Sequence, residues 1–448
     1  MKIKINKKNF VSYLIILFIL FLCSLLNKFK VSTYASIIAF VFLCINVYMK
    51  HPRFYIKYFA IVFSFFAGYF SLCLIEFSSI YMSEIQSYSS FQGTIPLYTL
   101  SIAMLTIGII LFDKKIDDAV IINSDNHSSK KSFLNFMNLI IFIMYIGLFL
   151  QVYKHPSFLL GLQRVGYATE YGVKGIWEKI SGLSYSLVPI PLYMIVAEKN
   201  KFKKIVSFLS VSLLVLYALW TGNKFGPFLI IIYIFLIIYG GFLTEKKIKK
   251  MIVISVILIL SIIGIALNIN NITSKSSNSD YLETRLSAQN QIYWKVMSVY
   301  DGKTHLSELP EEISGQFTGS DIVSENIGSK YGIYKMMYIV APQNAINRFL
   351  SGGYRYTYCG YASMLYYFGY IGPIIYSIFS SLLFVLLTNS ILKSFKNNDY
   401  ISAIICMRLF IISQTAINMF LFYQFWDVIS ILSYIYLLFF KNKKIVIK

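Results

Sequence analysis

Five cationic side chains offer the clearest chemistry in this sequence. They stand within hydrophobic stretches or close to their ends, and they are Arg164, Lys224, Arg348, Arg355 and Arg408. A guanidinium group binds phosphate oxygens through parallel N–H donors, and an ammonium group offers a compact positive charge. Cations placed beside a bound phosphate group stabilise negative charge that develops on it. The five residues are therefore candidates for binding a diphosphate.

Lys224 stands in a short turn between two hydrophobic stretches, within TGNKFGP. Gly222 and Gly226 permit close approach of the backbone, and Pro227 can begin the following helix. Backbone N–H groups at a helix N-terminus already favour an anion, and the lysine adds its charge to them. The alternative is a lysine that extends its ammonium group to the lipid headgroups.

Arg348 and Arg355 flank a glycine pair in NRFLSGGYRYTYCGY, which leads into a hydrophobic stretch. Aromatic rings pack against the faces of sugars, so the tyrosines beside these arginines can line the path of a glycan. Tyrosines are also typical of the membrane–water interface, which is the alternative interpretation. The same long polar segment holds two further candidate cations, Arg285 and Lys335.

Arg408 lies inside a hydrophobic stretch, and Thr415 and Asn418 follow it at helical spacing. The three side chains therefore share one face of a helix. Because an ionised side chain at the centre of a membrane costs at least about 3 kcal/mol, this face should point into the protein. The stripe either binds an anion or joins two helices through hydrogen bonds, and the sequence leaves both open.

His305 and Glu170 are the candidates for a general base. Such a base must lie within hydrogen-bond reach of the hydroxyl whose proton it removes. His305 stands in a polar segment, where a solvated histidine is the alternative. Glu170 lies between Arg164 and Gly175 in RVGYATEYGVKG.

The composition places this chemistry in a membrane. Of the 448 residues, 57% are hydrophobic and 14% are charged, whereas about a quarter are charged in soluble domains. Hydrophobic stretches close to the roughly 20 residues that a membrane helix needs recur along the chain. The formal net charge is +21, but the lysines form short clusters between these stretches. That distribution is typical of a membrane protein with positive internal loops, and it argues against a nucleic-acid partner.

Cysteine and histidine usage predicts neither a metal centre nor a disulfide framework. The chain has five cysteines and four histidines. No CxxC pair is present, and no His/Asp/Glu cluster has the spacing of metal ligands. We therefore expect no metal and no cofactor.

Twelve hydrophobic stretches are predicted to span the membrane. Lysine and arginine are denser in the short loops of one side, which predicts that both termini are cytoplasmic. The first stretch follows MKIKINKKNF without a small-residue cleavage site, so we expect a retained span rather than a signal peptide. The tenth is long enough to contain a surface helix or a kink at Pro373. In order, the predicted spans are 10–26, 31–49, 58–75, 95–112, 133–152, 183–197, 205–220, 227–243, 251–267, 361–387, 400–421 and 428–440.

The polar segment between spans nine and ten, residues 268–360, is predicted to form an external subdomain. It separates a first membrane bundle, residues 1–267, from a second one, residues 361–448.

Two helices are predicted within this segment. Apolar residues at helical spacing predict a first helix, capped by Ser279 or Asp280 and ended by Gly302. The stretch APQNAINRFLSGG predicts a second one, with Pro342 in its first turn and Gly352 as its stop.

This layout resembles the O-antigen and capsule polymerases of the Wzy type. The resemblance rests on about a dozen spans with one large external loop, on the outward turn TGNKFG, and on the entry GYASMLYYFGYIGP into span ten. It implies the all-α fold of the multi-span, lipid-carrier-dependent (type C) glycosyltransferases. It also implies a membrane glycosyltransferase at the outer face of the bacterial cytoplasmic membrane, which joins undecaprenyl-diphosphate-linked repeat units without metal or nucleotide.

Further expectations follow from the resemblance. Members of this family often carry an Arg-x10-Gly element in paired outer loops, and Arg164–Gly175 fits it, whereas Arg348–Gly360 is one residue longer. The turn residue that is commonly arginine is Lys224 here, which keeps the charge but loses bidentate geometry. The implied partners are carrier-linked glycans and membrane lipid, with a chain-length regulator and a flippase beside them.

Three other functions fit parts of the pattern. A lipid-linked oligosaccharide flippase also has about twelve spans, but it needs charges lining a cavity in both halves, and the sequence places only Arg408 inside a span. A glycan ligase performs similar chemistry on a different acceptor, and a clear histidine motif in the large loop would favour it. A membrane scaffold without activity is the third.

Overall fold

The fold is described from a computed structural model of the chain. The described residues are 7–114, 116–117, 128–162, 164–223, 226–242, 284–318, 331–351, 356 and 358–439, with isolated positions between 247 and 261. Most of predicted span nine and the start of the first predicted loop helix lie outside this set.

The described part of the chain is mostly helical. Its first half contains one short antiparallel ladder, β1 (Tyr81–Met82) with β2 (Ser87–Tyr88). The helices of that half are α1 (Lys7–Leu25), α2 (Lys30–Lys50), α3 (Arg53–Lys57), α4 (Phe59–Phe77), α5 (Thr94–Phe112), α6 (Ser128–Val152), α7 (Ser157–Leu160), α8 (Arg164–Tyr171), α9 (Ile176–Leu187), α10 (Pro189–Ala197), α11 (Lys201–Trp220) and α12 (Gly226–Phe242). The second half contains α13 (Gln291–Val299), α14 (Leu309–Thr318), α15 (Gly332–Val340), α16 (Gln343–Ser351), α17 (Gly360–Phe368), α18 (Ile371–Lys396), α19 (Tyr400–Met419) and α20 (Val428–Phe439).

Eight helical segments within the described residues are long and apolar enough to cross a membrane. Three shorter apolar helices, in α1, α12 and α20, accompany them. The prediction of a helical polytopic membrane protein is therefore confirmed. The count of twelve spans and the cytoplasmic placement of the termini stay predictions.

Contacts between distant residues define two ends of the bundle. At the first, the Asn27 amide donates to the Tyr370 hydroxyl at 3.4 Å, and Cys359 N donates to Asn418 O at 2.8 Å. We call this the loop end, because residues 78–93, 284–318, 331–351 and 358–359 follow or precede helices there. At the opposite end, loops between other helices meet.

Buried charges hold the opposite end together. Lys57 Nζ lies 2.5 Å from Asp113 Oδ2 and donates to Asn389 Oδ1 at 2.9 Å. The Tyr58 hydroxyl donates to the same carboxylate at 2.7 Å. Arg53 donates to the backbone oxygen of α12 residue Gly240 at 2.9 Å. Arg53, Lys57 and Asp113 lie next to the predicted spans and not inside them, and hydropathy alone does not reveal charges at helix ends that fold inward.

The predicted tenth span is two helices. α17 ends at Phe368, and Gly369 has a positive φ of 64°. A side chain there would also crowd the Tyr300 hydroxyl, at 2.6 Å from a Cβ. Pro373 lies in the first turn of α18, where a missing N–H costs nothing. The break is thus at the glycine and not at the proline.

The first predicted loop helix is also interrupted, at residues 288–290. Ser71 of α4 fixes this break, since its hydroxyl donates to Ser287 O at 2.9 Å and accepts from Asn290 N at 3.0 Å. α13 begins at the next residue. The second predicted helix corresponds to α16, which follows Pro342. The loop segment therefore packs directly on the membrane helices.

Candidate functional site

The site with the most chemistry at the loop end centres on Glu84, in the turn between β1 and β2. Met82 and Ile85 on either side of it are buried, and they anchor the turn to the helices below. Ser89 N donates to Ile80 O at 2.8 Å and closes the base of the hairpin. Gln86 completes the turn with a positive φ of 47°. Glu84 is therefore held on a short, anchored loop.

The external segment supplies the partners of Glu84. The Gln291 amide at the start of α13 donates to Glu84 Oε2, and the Tyr356 hydroxyl donates to the Glu84 backbone oxygen. Trp294, one turn further along α13, donates to Ser90 O at 2.9 Å. Side chain and backbone of Glu84 are thus fixed by two separate parts of the loop segment.

Burial raises the pKa of Glu84 to about 7. The hydrogen bond from Gln291 and the positive charges of Arg285 and Arg348 lower it, but by less than desolvation raises it. Both arginines are exposed, and Glu84 is half-buried. A carboxyl that exchanges a proton near neutral pH therefore lies within the field of two accessible guanidinium groups, which is a frequent property of functional sites.

A second cluster at the loop end joins α14, α15 and α17. Glu312 is 1% exposed, and its carboxylate accepts from Gln316 Nε2, Gly332 N and the Tyr367 hydroxyl, each at 2.7 Å. Gln316 also bonds the backbone at Phe420 and Phe422. Burial raises the pKa of Glu312, although these hydrogen bonds oppose the rise. Because its carboxylate accepts hydrogen bonds from three groups of the protein, Glu312 connects the loop segment to the end of α19.

Glu308 and Lys335 lie beside this connection. Lys335 Nζ is 2.6 Å from Glu308 Oε2, and the Tyr366 hydroxyl donates to Glu308 Oε1 at 2.9 Å. Partial burial acts to raise the pKa of Glu308, but the bonds from Lys335 and Tyr366 outweigh it, and the pKa is lowered. Glu308 is therefore ionised near neutral pH.

His305, a predicted base, is half-buried beside this second cluster. Its ring stacks on Tyr366 with centroids 4.0 Å apart and planes at 8°. His305 Nδ1 lies 3.1 Å from Tyr366 O. The other predicted base, Glu170, is exposed on α8. The described contacts do not bring Glu170 to Glu84.

Arg164 begins α8 and lies against the turn that follows α11. Gly222 in that turn has a φ of 77°, and a Cβ added there would lie 3.1 Å from Arg164 N. The side chain of Arg164 is exposed. Two segments that the sequence singles out separately thus pack together. Lys224 and Arg355 themselves lie outside the described residues.

Arg408 is bound within the bundle. Its Nη2 lies 2.7 Å from Asp427 Oδ2, and its Nη1 donates to Ser430 at 3.1 Å. Both partners stand at the start of α20, where Asp427 also accepts from Ser430 N at 2.6 Å. Of the two interpretations that the sequence leaves open, these contacts favour a link between helices.

Three tyrosines that follow Arg355 in the sequence are not at a lipid surface. Tyr356, Tyr361 and Tyr367 are buried, with at most 6% of each exposed. Tyr361 packs against Tyr98 of α5 and Tyr376 of α18, with ring centroids 5.6 and 5.7 Å apart. An interfacial belt is therefore the wrong description of these three residues, although the exposed Tyr370 fits it. The aromatic rings form a layer beneath the loop segment.

Comparison with known proteins gives one match. Residues 327–435 match a family model described as a family of unknown function (DUF6418). No curated protein and no solved structure matches the chain. The matched range covers a minority of the chain, from just before α15 into α20, so it includes Lys335, Arg348 and Arg408 but not Glu84.

The described residues contain no group of three or more His, Cys, Asp and Glu side chains that could hold a metal ion. The arrangement around Glu84 combines a carboxyl group with the charges of two arginines. Sequence reasoning identified Arg285 and Arg348 but missed Glu84 and Gln291. One signal was available, since Glu84 is one of two carboxylates, with Glu76, in the stretch between predicted spans 58–75 and 95–112.

Proposed function

We propose that the protein is a membrane glycosyltransferase that joins undecaprenyl-diphosphate-linked oligosaccharide repeat units into an O-antigen or capsular polysaccharide. The observation that carries the proposal is the convergence of Arg285, Arg348 and Glu84 at one end of a helical membrane bundle. The carrier-linked donor is a lipid whose headgroup is a diphosphate joined to sugar. Its recognition requires cations next to the membrane and a group that can accept a proton.

The two arginines suit the diphosphate. Both belong to the loop segment and both are exposed, so their guanidinium groups are accessible to a ligand. Guanidinium binds phosphate oxygens in pairs and remains charged at any pH at which the protein is folded. As the bond between the sugar and the diphosphate breaks, the new negative charge is stabilised by the same groups. Arg164, exposed at the start of α8, is a further candidate for this role.

The proposal requires the loop end to face the outside of the bacterial cytoplasmic membrane, with both chain termini inside. A cysteine introduced at the exposed Ser307 should react with a membrane-impermeant maleimide on intact cells with a permeabilised outer envelope. One introduced at the exposed Lys396, at the opposite end, should react only after the membrane is opened. The reverse pattern would exclude an outer-face polymerase.

A flippase is the second candidate, and the buried charges at the opposite end are the observation that favours it. A transporter of a charged lipid needs polar groups along its path. Lys57 and Asp113, however, are 3% and 0% exposed as side chains and are paired with each other. Charges that are buried and paired with each other hold helices together and do not line a transport path, so we favour the transferase.

Loss of the gene separates these functions. We expect single repeat units on the carrier or at the cell surface, and no long chains, which a gel of the extracted glycan shows directly. Repeat units trapped on the cytoplasmic face would instead identify a flippase. Long chains that remain on the carrier would identify a ligase. A normal glycan profile would exclude all three functions.

A further inference from the structure

We infer that Glu84 is the catalytic base that removes the proton from the acceptor hydroxyl during glycosyl transfer. The inference rests on the proposed function and assigns the step that the arginines cannot perform. Arginine carries no acceptor for a proton, so a separate group must serve. Glu84 is a carboxylate on which the charges of Arg285 and Arg348 both act.

The position of Glu84 is fixed from two sides. Gln291 Nε2 binds Oε2 of the carboxylate, and Tyr356 binds the backbone oxygen of the same residue. A single amide donor at one oxygen sets the orientation of the carboxylate. Among the described residues, no group donates a hydrogen bond to Oε1. That oxygen is the one that an acceptor hydroxyl would approach.

The reaction balances with the two carrier-linked glycans alone. The acceptor hydroxyl gives its proton to Glu84, and its oxygen forms a bond to the anomeric carbon of the donor. The bond from that carbon to the diphosphate oxygen breaks, and its electron pair leaves with the lipid diphosphate. Arg285 and Arg348 stabilise the charge on the leaving group. The proton on Glu84 then passes to water or to the released diphosphate.

The surroundings of Glu84 differ from those of His305 and Glu170, the two bases that the sequence suggests. His305 is stacked on Tyr366 and has its Nδ1 beside a backbone oxygen. Glu170 is exposed on α8. Glu84 combines partial burial with nearby cations, so it is ionised for about half of the time near pH 7. A base with this property is efficient at neutral pH.

The decisive variant is Glu84→Gln, which keeps the shape of the side chain and removes the base. The full-length protein is reconstituted in lipid with carrier-linked repeat units, and the rate of chain extension is measured. We expect a loss of about 10²–10⁴-fold, which is the usual contribution of a general base. Binding of undecaprenyl diphosphate, used as the probe, should be unchanged. Glu311→Gln is the matched control, because Glu311 is an exposed carboxylate of α14 at the same end, and it should retain the full rate.

The pH dependence of the wild-type rate provides an independent readout. The base acts only when ionised, so the rate should fall as pH is lowered through about 7, with the slope of a single proton. Among the described residues, the charged or titratable groups that act on Glu84 are Arg285, Arg348 and Tyr356. Arginine side chains are not deprotonated in proteins, and burial raises the pKa of Tyr356. Glu84→Asp should show the same kind of fall in rate as pH is lowered, but from a lower maximum rate.

Each outcome has one meaning. If Glu84→Gln does not reach the membrane, the pH dependence of the wild-type rate and the rate of Glu84→Asp test the inference instead. A wild-type rate that does not change with pH overturns it. If Glu84→Gln extends chains at the normal rate, Glu84 is not the base, while polymerase function stands. If the wild-type protein extends no chains and loss of its gene leaves the glycan unchanged, the proposed function itself is wrong.

Discussion

Arg408 of α19 and Asp427 at the start of α20 form an ion pair, with Nη2 and Oδ2 2.7 Å apart. The arginine would otherwise be a single charge within an apolar helix. The pair places the last helix of the described chain against its neighbour, because Asp427 also caps α20 through Ser430 N. An arginine in a membrane segment need not bind substrate when its partner lies on the next helix.

The first prediction concerns this pair. Arg408→Ala and Asp427→Ala should each lower the thermal stability of the purified protein. Because each substitution removes the partner of the other residue, the double variant should lose less unfolding free energy than the two single variants added together. The difference is the coupling energy, about 0.5–3 kcal/mol. The exchanged pair, Arg408→Asp with Asp427→Arg, should recover part of the stability. If the exchanged pair is stable but extends no glycan chains, Arg408 has a role in the substrate site as well.

Lys57 and Asp113 give a sharper stability prediction, since both side chains are buried. Asp113→Ala leaves Lys57 without its counter-ion and should destabilise the protein by about 3–5 kcal/mol. Lys57→Met together with Asp113→Leu removes both charges and should cost much less. Thermal unfolding in detergent measures the difference. If Asp113→Ala and the double variant lose the same unfolding free energy, the ion pair contributes no more than the packing of its side chains.

The arginines of the candidate site should affect activity. Arg285→Ala and Arg348→Ala each remove an exposed guanidinium, and the unfolding temperature of each variant is measured beside its activity. Chain extension should fall and undecaprenyl diphosphate should bind more weakly, because a charge-assisted contact to phosphate is worth about 1.5–3 kcal/mol. Lysine at either position should restore binding only in part, since it keeps the charge without the paired donors. Unchanged binding in both alanine variants would remove the arginines from the site.

Gly222 tests whether the turn after α11 positions Arg164. Gly222→Ala introduces a Cβ where φ is 77° and where Arg164 N is 3.1 Å away. The left-handed conformation alone costs about 1–2 kcal/mol. We therefore expect lower stability and slower chain extension. Gly226→Ala is the matched control, because a Cβ at that position meets no atom within 4 Å.

Comparison with Gly226→Ala also shows which outcome would contradict the prediction for Gly222→Ala. Gly226 starts α12, where alanine is the better helix former. If both alanine variants behave like the wild type, the contact between Gly222 and Arg164 has no functional role. If both lose activity alike, the whole turn matters and not the contact.

Sequence alone determined the class of this protein. Hydropathy is a local property, so the apolar stretches and the helices that they form follow from composition and periodicity without knowledge of contacts. The same holds for α16, whose start at Pro342 is a local signal. Arg285 and Arg348 were identified from residue type and from their position in a polar segment.

Tertiary structure decided which of these residues meet. Glu84 and Gln291 are 207 positions apart, and no local pattern relates them. Arg408 required a partner that only the packing of α19 on α20 supplies. The tyrosines after Arg355 have the composition of an interfacial belt, yet packing buries Tyr356, Tyr361 and Tyr367. The physical reason is the same in each case: hydropathy fixes which segments leave water, but the pairing of polar groups depends on which helices are neighbours.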